Sequence, residues 1–288
     1  MIELSPGDLS SYRARTYALL PELKLKSAED AVDFVNRRGF VFFWPIKGVE
    51  LPSLWTAAAG DRPVPDEHDD PGHMTWGWKD ELLGKRRWYY ARILRRRNTM
   101  ISLVSAPYFY ALSPNYGDPE NDYLEQYEQG LMTLETRLVF EALLKEGPLD
   151  TLALRRAARL TSSDSTGRFN KALDDLQVEF KVLPVGISEA GAWRYAFIYD
   201  LTTRHFPEIQ EQARFISEPE ARRFLLRQYF ISLGAAPIEQ AARLFGWTLE
   251  HIHHAIKALI KAKVLVEDIA IPNQKGVWVA TRELLDQD

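Results

Sequence analysis

The chain has 288 residues, 46% of them apolar and 12% aromatic, with a net charge of −4 and no cysteine. That is enough apolar material for two or three compact domains, and the missing cysteine removes disulfides, thiolate–zinc centres and cysteine nucleophiles. A negative balance argues against coating of DNA by bulk charge, which draws on many Lys and Arg contacts to phosphate, so any DNA contact has to be local.

No stretch of roughly 18 apolar residues occurs and Met1 to Ser5 lack a basic or apolar leader, so a soluble, cytoplasmic protein without a membrane partner is expected. A helix is expected around Leu9 to Leu20, ended near Pro21, with no function attached to it. Ser27 to Asp30 has the form of a capping box, opening a helix to about Arg37 that buries Ala31, Phe34 and Val35. Gly39 ends it, Phe40 to Trp44 form a short apolar strand before Pro45, and a further helix spans about Leu51 to Ala59. The stretch 60–72 is then a long polar loop, of a length that is often functional or disordered. His68, Asp69, Asp70 and His73 gather here. Their spacing matches no helical ligand pair and prolines and a glycine crowd them, so an ordered polar loop without metal is expected. Acid–base work by these four remains open as the one catalytic possibility.

Met74 to Leu83 has helical character, and the densest basic run follows: Lys85, Arg86, Arg87, Arg92, Arg95, Arg96 and Arg97, with Trp88, Tyr89 and Tyr90 interleaved. The segments Trp88 to Leu94 and Thr99 to Val104 alternate well enough for a hairpin turned at Arg96 to Asn98. Two readings stand, a nucleic-acid contact in which cations meet phosphates and aromatic faces stack on bases, or a solvated arginine face beside buried tyrosines. If about half of the seven reached phosphates, log K would fall with log salt at a slope of roughly −3. An aromatic run at Pro107 to Leu112 precedes a turn-rich link and an acidic helix, Glu120 to Gln129, with a domain boundary near 116–130.

From Leu134 the pattern is that of a winged helix-turn-helix. A helix to Leu144 stops at Gly147-Pro148, a second starts at Leu149, and a third runs from about Asp164 to Gln177 with Phe169, Ala172, Leu173 and Leu176 on one face. Strands Phe180 to Val185 and Trp193 to Tyr199 close the unit. The order returns near the C-terminus: helices Glu220 to Leu233, Pro237 to Phe245 and Thr248 to Lys261, then strands Val264 to Ile271 and Val277 to Ala280. In the last helix Leu249, Ile252, Ala255, Ile256, Leu259 and Ile260 form the buried stripe. The third helix of the central unit presents Asp164, Asp174 and Asp175 against Lys171 and Arg168, a face that repels phosphates. The corresponding helix of the last unit is mildly basic, with Lys257 and Lys261 outward. His251 and His253 on it point about 160° apart, which speaks against zinc.

The expected fold is therefore α+β and helix-rich, with tandem winged helix-turn-helix domains at 117–207 and 208–288 and an N-terminal helical and β-hairpin domain at 1–116. Gly39 to Pro45, Pro107 to Leu112 and the unit Gly130 to Val185 together resemble the AlkZ/YcaQ group of winged-helix DNA glycosylases. The resemblance implies a concave DNA-binding face, duplex or damaged DNA as partner, and excision of alkylated or crosslinked purines. It also implies a catalytic Gln-x-Gln or Gln-x-Asp on a strand just before a proline. Those positions fall on Phe42 and Trp44, ahead of Pro45, so neither amide nor carboxylate is present to hold the attacking water. Positioned acid–base groups are typically worth about 3 to 5 kcal/mol. The expected function is DNA binding in repair or damage recognition with that catalysis lost. The alternatives are a glycosylase working through the His68 to His73 loop and a non-enzymatic transcriptional regulator or interaction module. The expected DNA contacts are Trp44, Lys47, Arg86, Arg87, Trp88, Arg92, Arg95, Arg96, Arg97, Lys257 and Lys261, with no cofactor. Phe42 is expected in the core, and Trp44 is open between core filling and stacking on a base.

Overall fold

A computed structural model describes residues 2–67, 69–115, 117–191 and 193–286. The first element, β1 (Ile2–Glu3), and the helix α1 (Pro6–Thr16) turn away from the residues that follow them. Tyr12 donates its hydroxyl to the Ile231 carbonyl at 2.8 Å, and Arg13 donates to the carbonyls of Leu233 and Ala235. The N-terminal helix is thereby fastened to the end of the chain.

Helix α2 (Ala28–Arg38) starts as its capping box requires: Ser27 Oγ accepts from Asp30 N at 3.1 Å, and Asp30 returns a bond from Lys26 N at 2.9 Å. It leads into β2 (Phe40–Phe42), after which come α3 (Leu54–Ala59), α4 (Met74–Leu82) and the pair β3 (Tyr89–Arg92) and β4 (Asn98–Ile101). The sheet order is β2-β4-β3, all antiparallel, with Val41 opposite Met100 and Tyr90 opposite Met100. Alternate residues face two different cores. Phe40, Phe42, Tyr89, Ala91 and Ile101 enter one, while Val41, Phe43, Trp88, Tyr90 and Met100 enter the other. A sheet buried on both sides accounts for the unbroken apolar run in the sequence.

Helices α5 (Ala106–Tyr110) and α6 (Asp122–Glu128) lead to α7 (Leu134–Glu146), β5 (Leu149–Asp150), α8 (Thr151–Ala157), α9 (Thr166–Val178), β6 (Val182–Ser188) and β7 (Ala196–Leu201). Thr133 caps α7 and Asp150 caps α8. Phe169, Ala172, Leu173 and Leu176 of α9 are all buried, as the period demands, against Val139, Phe140 and Leu143 of α7. The strand order is β5-β7-β6. Two connecting helices, α10 (Thr202–His205) and α11 (Pro207–Ala213), precede the last unit.

That unit repeats the succession: α12 (Glu218–Leu233), β8 (Ala235–Pro237), α13 (Ile238–Phe245), α14 (Leu249–Lys261), β9 (Leu265–Ala270), β10 (Trp278–Thr281), then α15 (Arg282–Leu285). Its sheet runs β1-β9-β10-β8, the central order with β1 added in parallel at the edge. Of the expected α14 stripe, Ile252, Ala255, Ile256 and Leu259 are buried, but Leu249 is 47% exposed, since it stands at the first turn before the helix meets its neighbours. One core draws on all parts of the chain, joining Phe40 and Tyr89 to Phe180 and Phe206 and to Leu225, Phe230 and Ile252. Among the described residues no helix is long and apolar enough to cross a membrane.

Gly234 ends α12 with φ +75°, and a Cβ there would meet Tyr12 Cδ1 at 2.7 Å and Leu284 Cδ2 at 3.1 Å. Gly234→Ala combines left-handed strain with overpacking, so a loss of about 2–3 kcal/mol is expected. Thermal melts of the two proteins check it, at about 5–10 °C lower for the variant.

Candidate nucleic-acid interface

At one end of the β2-β4-β3 sheet two loops face each other. After Phe43, whose N–H donates to the Asn98 carbonyl at 2.9 Å, the chain turns through Trp44 to Gly48. Opposite it, β3 runs out at Arg92 and the chain reverses through Leu94 to Arg97. There Thr99 Oγ1 accepts from Leu94 N and donates to the Arg97 carbonyl. Arg95 and Arg96 both adopt φ +54°, a left-handed conformation that non-glycine residues seldom hold. Between the loops lies a cleft of about 370 Å³ lined by Trp44, Pro45, Ile46, Lys47, Arg92, Arg96, Arg97 and Asn98.

Trp44 is half-buried, its inner side against Phe43 and Trp55 with ring centroids at 4.7 and 6.2 Å. The structure also brings His73 to it, at 5.9 Å and edge-on, with His73 stacked on Trp76 at 5.6 Å. His73 Nδ1 is buried and without a hydrogen-bond partner. Phe42 is wholly buried, as expected of a core residue.

The basic run divides into two groups. Lys85, Arg86 and Arg87 precede β3 and Arg92, Arg95, Arg96 and Arg97 follow it. At about 3.3 Å per residue the strand sets Arg87 and Arg92 roughly 16 Å apart. Much of the charge is compensated within the protein. Arg87 forks onto Glu29 at 2.9 and 2.7 Å, and Lys85 meets Glu81 at 2.6 Å. Arg92 Nη1 reaches both carboxylate oxygens of Asp174 on α9, at 2.9 and 3.0 Å, and Arg96 reaches Asp175 at 2.6 Å. Gln177 accepts from the Arg92 backbone N–H at 3.1 Å, so α9 holds the turn in place as well as neutralising it. Arg95 donates to the Arg243 carbonyl at 3.1 Å. Among the described residues Lys47, Arg86 and Arg97 have no ion-pair partner.

Several expectations are corrected. Trp88 is 2% exposed inside the core with Val35 and Tyr90, because the first residue after the turn joins the sheet and not the surface; it cannot meet DNA. Asp70 is not free to act as a base. Its two oxygens take Arg62 Nη1 and Nη2 at 3.0 and 2.5 Å, one of them also takes Gly72 N at 2.7 Å, and the Arg62 guanidinium holds its pKa below the usual carboxylate range. His68 lies outside the described residues, and Asp69 is exposed. Lys257 and Lys261 are exposed on the outer face of α14 and line none of the cleft.

One site the sequence does not announce is Lys79, buried on α4. Its ammonium lies 4.6 Å from the Phe197 ring centroid, donates to Tyr195 Oη at 2.8 Å and pairs with Asp80, to which Tyr195 also donates. Burial lowers its pKa and Asp80 pushes the other way. With its side chain 3% exposed, it serves to fasten α4 to the strand pair β6–β7 and has no route to a substrate.

A family model for AlkZ-related proteins matches residues 25–246. The chain belongs to the AlkZ-related family. That match takes in β2, the arginine turn, the central unit and α13, and so both walls of the cleft. Among solved structures, the Streptomyces sahachiroi DNA glycosylase AlkZ superposes with a TM-score of 0.62 at 14% identity, over 98% of this chain and 71% of that one. At that identity the likeness establishes the fold of this AlkZ-related chain and nothing finer. No curated protein matches it by sequence.

Proposed function

We propose that this AlkZ-related protein binds DNA in repair or damage recognition, through the cleft between Trp44 and Arg97, without the family's hydrolytic mechanism. The observation that carries the proposal is the cleft itself, where a half-buried tryptophan stands beside Lys47, Arg92, Arg96 and Arg97 at the end of β2. Cations at such a place neutralise phosphates and an indole face can stack on a base. The relative with this fold is named a DNA glycosylase, which favours DNA over other polyanions. The repeated succession of helix, strand, two helices and two strands supports reading 117–207 and 208–288 as tandem winged helix-turn-helix modules. The residues before 117 then form the hairpin domain, with β1 and α1 attached to the last module. Because α9 turns its carboxylates to Arg92 and Arg96, the central module acts as a scaffold for the hairpin and not as the groove reader.

The loss of hydrolysis rests on Phe42 and Trp44 standing where the family's signature has its polar pair. A second reading, catalysis from the 66–73 loop, has one observation in its favour: His73 lies against Trp44 with its Nδ1 unpartnered. A panel of paired, alkylated, crosslinked and abasic duplexes, scored for binding and for base release, tests both. Binding without release is expected. Release that disappears in His73→Ala would establish the second reading, and no binding to any duplex at low salt would end the first.

A further inference from the structure

A second cleft, of about 440 Å³, lies on the other side of the arginine turn, and Arg96 lines both. That volume is within the ~300–1,000 Å³ of small-ligand sites. Its walls are aromatic. Phe245 and Trp247, at the turn between α13 and α14, stack face to face at 4.3 Å and 15°, and the Arg222 guanidinium lies over Trp247 at 5.8 Å. Phe109 stands behind them, 6.5 Å from Phe245.

On the opposite side is Glu179, at the end of α9. Its Oε2 is closed from solvent without a hydrogen bond. The nearest cation, Lys181 Nζ at 3.9 Å, directs its hydrogens to Asn115 Oδ1 at 2.6 Å and to the Pro114 carbonyl. Burial raises the Glu179 pKa, making the carboxylate a stronger acceptor for any donor that reaches it. At the mouth, Arg95 and Arg96 hold their left-handed turn and Arg95 bonds to the Arg243 backbone. Backbone strain of this kind gathers at binding sites.

A stacking surface, one acceptor in need of a donor and guanidinium groups at the rim match a flat heterocycle that carries an amino group and is flanked by phosphates. A free aromatic acid fits less well, because its carboxylate would meet Glu179. We propose that this cleft is a subsite for a single extruded nucleobase bearing an exocyclic amino group, stacked beside Trp247 and donating to Glu179, with adjacent phosphates on Arg95, Arg96 and Arg243. The inference rests on the DNA-binding reading. A base leaves its stack most readily where it has no partner, so the subsite favours duplexes with an unpaired residue.

Anisotropy titrations with three duplexes, fully paired, with one bulged adenine and with one bulged thymine, test it. The wild type is expected to favour the adenine bulge over the paired duplex about tenfold, the scale of one base–aromatic stack, and over the thymine bulge several-fold. Trp247→Leu erases the bulge preference and leaves paired-duplex affinity unchanged. Glu179→Gln, isosteric and independent of any packing change at Trp247, keeps the bulge preference and loses the distinction between adenine and thymine. Equal wild-type affinity for all three duplexes overturns the subsite and leaves the DNA-binding reading intact, as does a Trp247→Leu variant that weakens all three equally. Failure to bind even the paired duplex removes the underlying reading.

Discussion

Replacing Phe42 by glutamine, the residue the family's signature carries at that place, is expected to lower stability by about 4–6 kcal/mol without producing base release. The side chain is fully buried in the core it shares with Phe40, Leu51 and Tyr89, and its backbone is paired to Thr99 on one side and bonded to Pro52 on the other. Truncating a buried phenylalanine costs roughly 3–5 kcal/mol, and an amide left there without partners adds about 1–3 kcal/mol, of which the glutamine's own methylenes recover part. Urea unfolding followed by tryptophan fluorescence measures the loss. Trp44→Gln differs, because half of that side chain already faces the cleft, and a small loss is expected. A Phe42→Gln protein as stable as the wild type would mean that the position faces an open site, and would reopen hydrolysis there.

Removing the two carboxylates of α9 is expected to strengthen DNA binding. Asp174 and Asp175 occupy Arg92 and Arg96 at distances of 2.6 to 3.0 Å, and Lys171 shares Asp175 at 2.7 Å. Phosphates compete with these carboxylates for the same guanidinium groups. Exposed pairs of this kind contribute about 0–1 kcal/mol each to stability, so the double variant Asp174→Asn, Asp175→Asn folds like the wild type. Three cations without carboxylate partners, Lys47, Arg95 and Arg97, give a salt slope of about −3, and two more raise it to about −4.5. Between about 50 and 200 mM salt the wild type then loses about 40-fold in affinity and the variant about 500-fold, from a higher starting point. Weaker binding by the variant would show that the carboxylates serve to aim the arginines, and that their charge does not compete.

Elements held by local rules were legible in the sequence. The capping residues Ser27, Thr133 and Thr248 each accept the backbone N–H three residues on, and the apolar stripe of α9 is buried throughout. Strands β5 and β8 were not, since two or three residues cannot display an alternation. Phe180, expected to begin a strand, has φ +57° and closes the turn after α9, so β6 starts at Val182. The union of β1 and α1 with the last unit depends on residues more than 200 positions away, such as Tyr12 with Ile231, and leaves no periodic trace. The site shows the same limit. Arginine density identified the turn at 92–97, yet Asp174, Asp175 and Glu29 neutralise most of that run from other elements, and Trp88 has the composition of a stacking residue with the burial of a core one. Glu179 and Trp247 carry no sequence signal, because their relation exists only where three segments meet.

The most direct measurement is the salt dependence of binding to a paired duplex by anisotropy, comparing the wild type with Lys47→Ala and Arg97→Ala. Measurable binding at low salt with a wild-type slope near −3, reduced by about one unit in each variant, is the predicted result. Binding that ignores salt, or a slope that neither substitution changes, would contradict the placement of DNA in the Trp44 to Arg97 cleft.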